Sequence, residues 1–139
     1  MNTEFAEKEL PMQKPRHFYG KHYKSGDALV DWIFRRFIES INTKIKQIVL
    51  KRRLKYETEE LLDGLWEPNT HTLYLNPAKY KHKKSYDILQ SFIHELGHIL
   101  FESIRERNIN QLENILFEKL TPQQKRALRS FIPKDETDS

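Results

Sequence analysis

The chain contains no cysteine, and only 4 of its 139 residues are glycine. Without thiols there can be neither a disulfide framework nor a thiolate metal site. Long apolar runs are also missing, and no stretch approaches the ~20 residues that a membrane-spanning helix requires. Met1 to Leu10 mixes acidic and polar side chains and lacks the apolar segment of a secretory leader. The expectation is a cytoplasmic protein without membrane contact. Charge of one sign is in modest excess, 24 Lys and Arg against 20 Asp and Glu. The apolar share of 37% is enough for one domain with one modest core. No internal repeat is visible.

Histidine is scarce, with 6 in the chain and none after His98. Two of the six fall in His94-Glu95-Leu96-Gly97-His98, an H-E-x-x-H pentapeptide. On a helix, histidines four apart point the same way and can reach one metal ion. The intervening glutamate is turned about 100° around the axis, beside such an ion, where it can take a proton from an activated water. The surroundings read as helix: Ile88, Leu89, Phe92 and Ile93 lead in, and Leu96, Ile99, Leu100 and Ile104 continue the apolar pattern. His94, His98 and Glu102 gather on the opposite side. Ser85 and Asp87 are candidate caps for the first turn.

A catalytic zinc needs three protein ligands and an open position. The downstream glycine and third histidine of metzincins are replaced by Phe101 and Ile104. Glu102, Glu106, Glu113 and Glu118 therefore remain as candidates. Glu102 lies two turns past His94 on the same helix, too far along the axis to share one ion, and Glu106 fails more badly for the same reason. A further helix is expected from about Asn110 to Leu120, with Leu112, Ile115, Leu116, Phe117 and Leu120 apolar. Glu113 falls inside that face, and a carboxylate there needs a partner or a metal. Glu113 is the expected third ligand and Glu118 the alternative; a Glu113 that snorkels to solvent is the plainer reading.

With His94-Glu95-x-x-His98 on one helix and Glu113 on the next, residues 62–120 resemble the gluzincin zinc metallopeptidases, especially the single-domain minigluzincins. The resemblance implies a Zn2+ site of His94, His98 and Glu113, with Glu95 as general base and acid in hydrolysis of a protein or peptide substrate. It also implies a zincin-like α+β fold: a small antiparallel or mixed sheet, an active-site helix and a following glutamate helix.

The rest of the pattern agrees with that order. Residues 1–25 read as an irregular basic arm, 26–132 as the domain and 133–139 as an acidic disordered tail. Leu29, Val30, Ile33, Phe34, Phe37, Ile38 and Ile41 predict a helix from Asp27 to about Asn42. Lys44 to Tyr56 is strand-like, and Leu62 to Asn76 a hairpin turning at Glu67-Pro68-Asn69-Thr70. An extended substrate could pair with an edge at Leu73 to Leu75 or near Lys51. Thr121 and Pro122 should start a last helix. Trp32 and Trp66 are expected in packing roles.

Two other function classes compete with the peptidase. One is a zinc-binding module of the same fold that holds a partner without catalysis. The other is a nucleic-acid binder using Lys44, Lys46, Lys51, Arg52, Arg53 and Lys55, or Lys79 to Lys84; a basic strand is more often a solvated face.

Overall fold

Asp27 begins the first helix, its carboxylate accepting hydrogen bonds from the backbone N–H groups of Leu29 and Val30. That helix, α1, spans Ala28–Thr43. Val30, Ile33, Phe34, Phe37, Ile38 and Ile41 recur every three or four residues and are buried. Trp32 departs from its expected packing role and stands on the outer face, 43% exposed. These positions come from a computed structural model that describes residues 16–52, 63–77 and 87–134. Expectations for residues 1–15, the strand-like stretch beyond Arg52, the basic loop with Ser85, and the end of the tail lie outside the described residues.

Strands β1 (Gln47–Leu50), β2 (Gly64–Glu67) and β3 (Thr72–Leu75) form a mixed sheet in the order β1-β3-β2. β2 and β3 are the expected hairpin, antiparallel with Gly64 opposite Leu75 and Glu67 opposite Thr72. β1 runs parallel to β3, with Ile48 opposite Leu73. The chain reverses through Pro68 to His71, and His71 takes the left-handed conformation at φ 53°. Ile48, Leu73 and Leu75 are buried in the core that the sheet shares with the helices. β3 is central, so Leu73 to Leu75 offers no free edge, contrary to the expectation. β1 and β2 are the outer strands.

Helix α2 spans Ile88–Leu100, with Asp87 as its cap accepting from the Leu89 N–H. Leu89, Phe92, Ile93, Leu96 and Ile99 are buried, which sets α2 against α1 and the sheet. Helix α3 spans Glu106–Lys119, beginning a full turn before the expected start at Asn110. Helix α4 spans Pro122–Arg129 and opens on a capping box between Thr121 and Gln124. Among the described residues no helix is long and apolar enough to cross a membrane.

Gln124 ties three parts of the chain together. Its fully buried amide donates to the Tyr23 carbonyl and to the Asp31 carboxylate, both at 2.9 Å. Its oxygen accepts from the Thr121 N–H. Asp31 also accepts from the Ser25 N–H at 2.8 Å. Burial pushes the Asp31 carboxyl up, but the hydrogen bonds from Ser25 and Gln124 outweigh it and hold the pKa below 3.8. The stabilisation from Asp31 is therefore present above pH ~4 and lost as pH falls through the depressed pKa. Nearby, Phe18 packs edge-on against Tyr23 and Phe131, and Tyr23 stacks on Phe34. These contacts order the described end of the arm.

Gln124→Ala should cost about 2–3 kcal/mol in urea melts at pH 7, because it leaves a buried carboxylate and a carbonyl short of donors. The cost should shrink at acid pH, as Asp31 is protonated through its depressed pKa. An equal cost at neutral and acid pH would show that the amide acts through packing alone.

Candidate metal centre

Burial of the apolar face of α2 leaves His94 and His98 on its other side, half-buried, with ring centroids 4.9 Å apart. Their Nε2 atoms face each other at 3.2 Å. Gly97 lies between them in sequence, and the reason for a glycine is steric. A Cβ there would stand 3.0 Å from Cδ1 of Ile109, a buried side chain of α3. The missing side chain lets α3 close onto α2.

The link between these helices decides which carboxylates arrive. α2 stops at Leu100, where the Phe101 N–H donates to the Gly97 carbonyl. The Ile104 N–H donates to the Phe101 carbonyl, and the chain turns back into α3. Glu106 is therefore on the returning helix, and the argument from continuous helical rise does not apply to it. Its two oxygens straddle the imidazoles, Oε2 at 2.8 Å from His94 Nε2 and Oε1 at 3.0 Å from His98 Nε2. His94, His98 and Glu106 offer donor atoms that all lie within 4.8 Å of one another.

Glu113, the expected third ligand, reaches the same histidine from its other side. Seven residues after Glu106 is two turns along one face of α3, about 10 Å further on. There Glu113 Oε1 lies 2.9 Å from His94 Nδ1. An ionised carboxylate can only accept, and both ring nitrogens of His94 face one, so without an ion each ring N–H is drawn to a glutamate; an ion at Nε2 would displace that hydrogen and leave the one on Nδ1 to Glu113. Glu113 is thus brought to the site, but at the nitrogen opposite the convergent donors. Glu118 is exposed and outside the cluster, as is Glu102.

Glu95 reaches toward the sheet and is 9% exposed. Its Cγ and Oε2 lie 2.9 and 3.2 Å from where a Cβ on Gly64 would be. Gly64 opens the outer strand β2, so the strand backbone forms the floor beneath the carboxyl group. Burial raises the Glu95 pKa to about 7; the Coulomb attraction of His94 opposes this, and the charges of Glu106, Asp63 and Glu113 add to it. For His94, burial acts downward. The Glu113 hydrogen bond and the charges of Glu95, Glu106 and Glu113 together prevail, raising its pKa above 6.5.

The residues fit a zinc ion. Donors at 2.8 to 3.2 Å from one another are close to the ~3.3 Å spacing expected around an ion with ~2.0–2.1 Å bonds. Nitrogen and oxygen donors suit zinc, and a carboxylate on the far nitrogen of a ligating histidine is a common support. Three carboxylates, Glu95, Glu106 and Glu113, near the imidazoles also make a site that a cation relieves. Comparison with known proteins finds no matching family, curated protein or solved structure.

Two features were hidden from sequence reasoning. Glu106 was set aside because no Gly or Pro marks the end of α2; an acid in the first turn of a helix was the available signal. Gly64 looked like an ordinary strand residue.

The raised Glu95 pKa gives a pH-dependent stability in the metal-free protein. Below pH 4.5 the carboxyl is protonated in folded and unfolded chains alike. Between 4.5 and about 7 only the unfolded chain releases the proton, so stability is lost as pH rises. In EDTA, Glu95→Gln should melt like the parent at pH 4 and exceed it by up to about 3 kcal/mol above pH 7. A difference that does not change with pH would contradict the buried carboxyl.

Proposed function

We propose that the protein is a zinc-dependent metallopeptidase of zincin-like architecture, acting on peptide bonds in the cytoplasm. The observation that carries this reading is the convergence of His94, His98 and Glu106 beside a buried Glu95 on the same helix. His94 and His98 would hold the ion and α3 would supply the carboxylate of Glu106, with Glu113 at the opposite nitrogen of His94. When bound, zinc supplies Lewis acidity and makes a water acidic enough to give up a proton near neutral pH.

The chain's own groups do the rest. Glu95, with a pKa of about 7, is poised to accept a proton from the attacking water and return it to the leaving amine. Glu113 accepts the Nδ1 proton of His94, which fixes that ring's tautomer and orientation. Gly64 leaves room for the Glu95 carboxyl and keeps it aimed. Among the described residues β2 pairs with β3 alone, and α2 packs against it. An extended peptide adding to that outer strand would lie beside the site, its main chain held by strand-type hydrogen bonds.

Elemental analysis and digestion of a peptide library test the reading together. The parent should hold one zinc per chain. His98→Ala should lose it, and Glu106→Ala should bind it more weakly than Glu113→Ala, which should lose roughly 10–100-fold in affinity. Glu95→Gln should keep the zinc while hydrolysis drops by roughly 10²–10⁴. A chain that binds zinc tightly yet cleaves nothing would instead be a non-catalytic zinc module. Chains that take up no zinc on reconstitution would reduce the pentapeptide to a coincidence.

Gly64→Val is a separate check on the floor of the site. It should retain zinc and lose at least roughly tenfold in turnover, because the new side chain displaces Glu95. Unchanged turnover would sever Gly64 from the chemistry.

A further inference from the structure

On the outer side of α1, away from α2, the arm and the helix enclose a cleft of about 250 Å³. His17 and Tyr19 form one wall, stacked 5.7 Å apart and nearly parallel at 8°. Trp32 lines the cleft from the helix, with Arg35 and Arg36 beside it. Tyr19 is 67% exposed and Trp32 43%, so both large rings stand partly in solvent, with His17 against one and Arg36 over the other.

The cations are only lightly engaged. The Arg36 guanidinium lies 5.7 Å from the Trp32 ring centre and pairs with Glu39 at 2.9 Å, with both side chains largely exposed. Exposed pairs of this kind are weak and readily exchanged for another anion. Arg35 has no ion pair among the described residues. Among the described residues, Glu39 is the sole acid lining the cleft.

We propose that this cleft binds a nucleotide unit, the base against the exposed rings and its phosphate on Arg35 and Arg36. Flat aromatic faces stack on any base, and a guanidinium matches a phosphate with two parallel hydrogen bonds. A purely apolar peptide would leave Arg35 without a counter-charge and Arg36 with only its exposed pair to Glu39, and an acidic one would leave the rings without a partner. The volume, below the usual range for drug-sized ligand pockets, suits one base rather than a helix. Neither the metal centre nor the basic strand takes part, so the proposal stands apart from the peptidase reading.

Fluorescence anisotropy of labelled 12-mers of dT and rU with the full-length protein tests it. Binding to the parent should weaken roughly five- to tenfold from 50 to 200 mM salt, as expected for about two phosphate contacts. Trp32→Ala should weaken it roughly 5–100-fold, and Arg35→Gln with Arg36→Gln should flatten the salt dependence. Tyr19→Ala, outside every helix and strand, should weaken binding too and serves if Trp32→Ala melts early. UMP competing at the per-nucleotide concentration of the strand would assign the cleft to free nucleotides; failure to compete would assign it to single strands. The proposal is overturned if the strands do not bind at 50 mM salt, or bind the parent and both aromatic variants equally. Displacement of the strand by poly-glutamate from parent and Trp32→Ala alike would overturn it in favour of an acidic protein partner.

Discussion

The contact of α3 with α2 across Gly97 is the constraint on which the metal centre depends. A Cβ at that position would stand 3.0 Å from Cδ1 of the buried Ile109, tighter than ordinary van der Waals contact, and that side chain would have to shift by a few tenths of an ångström. With the gap closed, one face of α3 carries Glu106 and Glu113 past the histidines, and the two carboxylates engage opposite nitrogens of His94. An imidazole gripped from both sides is held in one orientation. Such preorganisation removes the cost of ordering ligands when an ion arrives. The interior that fixes α2 itself is apolar: Leu89, Phe92 and Leu96 are fully buried among side chains from α1 and the sheet.

A second constraint comes from the sheet. Its mixed order places the strand that starts at Gly64 on the outside, next to α2, and the absence of a side chain there admits the Glu95 carboxyl. That group is taken out of water, and its proton affinity rises toward neutrality. A carboxyl in this state is costly to the metal-free fold and useful to proton transfer near pH 7. The Gln124 network secures another part of the domain, joining α4 to Tyr23 and Asp31.

Much of this was legible in the sequence because the strongest signals are periodic. The apolar spacing from Leu29 to Ile41 and from Ile88 to Ile99 marked α1 and α2 to within a residue or two at most ends. Thr121-Pro122 marked α4 through its cap, and the Glu67 to Thr70 turn marked the hairpin. The exchange of position between Glu106 and Glu113 was not legible. It depends on where α2 stops, and the stop is made by backbone hydrogen bonds at Phe101 and Ile104 rather than by a glycine or proline. Strand order was hidden as well, since the pairing of β1 with β3 joins residues 25 apart in the chain. Trp32 was misread because its spacing on α1 borders the apolar face; only the packed structure turns it outward.

X-ray absorption at the zinc edge, on full-length protein reconstituted with one equivalent of zinc, tests the central claim most directly. The account predicts bound zinc with nitrogen and oxygen donors only, two of them imidazoles, and one imidazole fewer in His98→Ala. A spectrum of hydrated zinc without imidazole scattering, unchanged by that substitution, would contradict it.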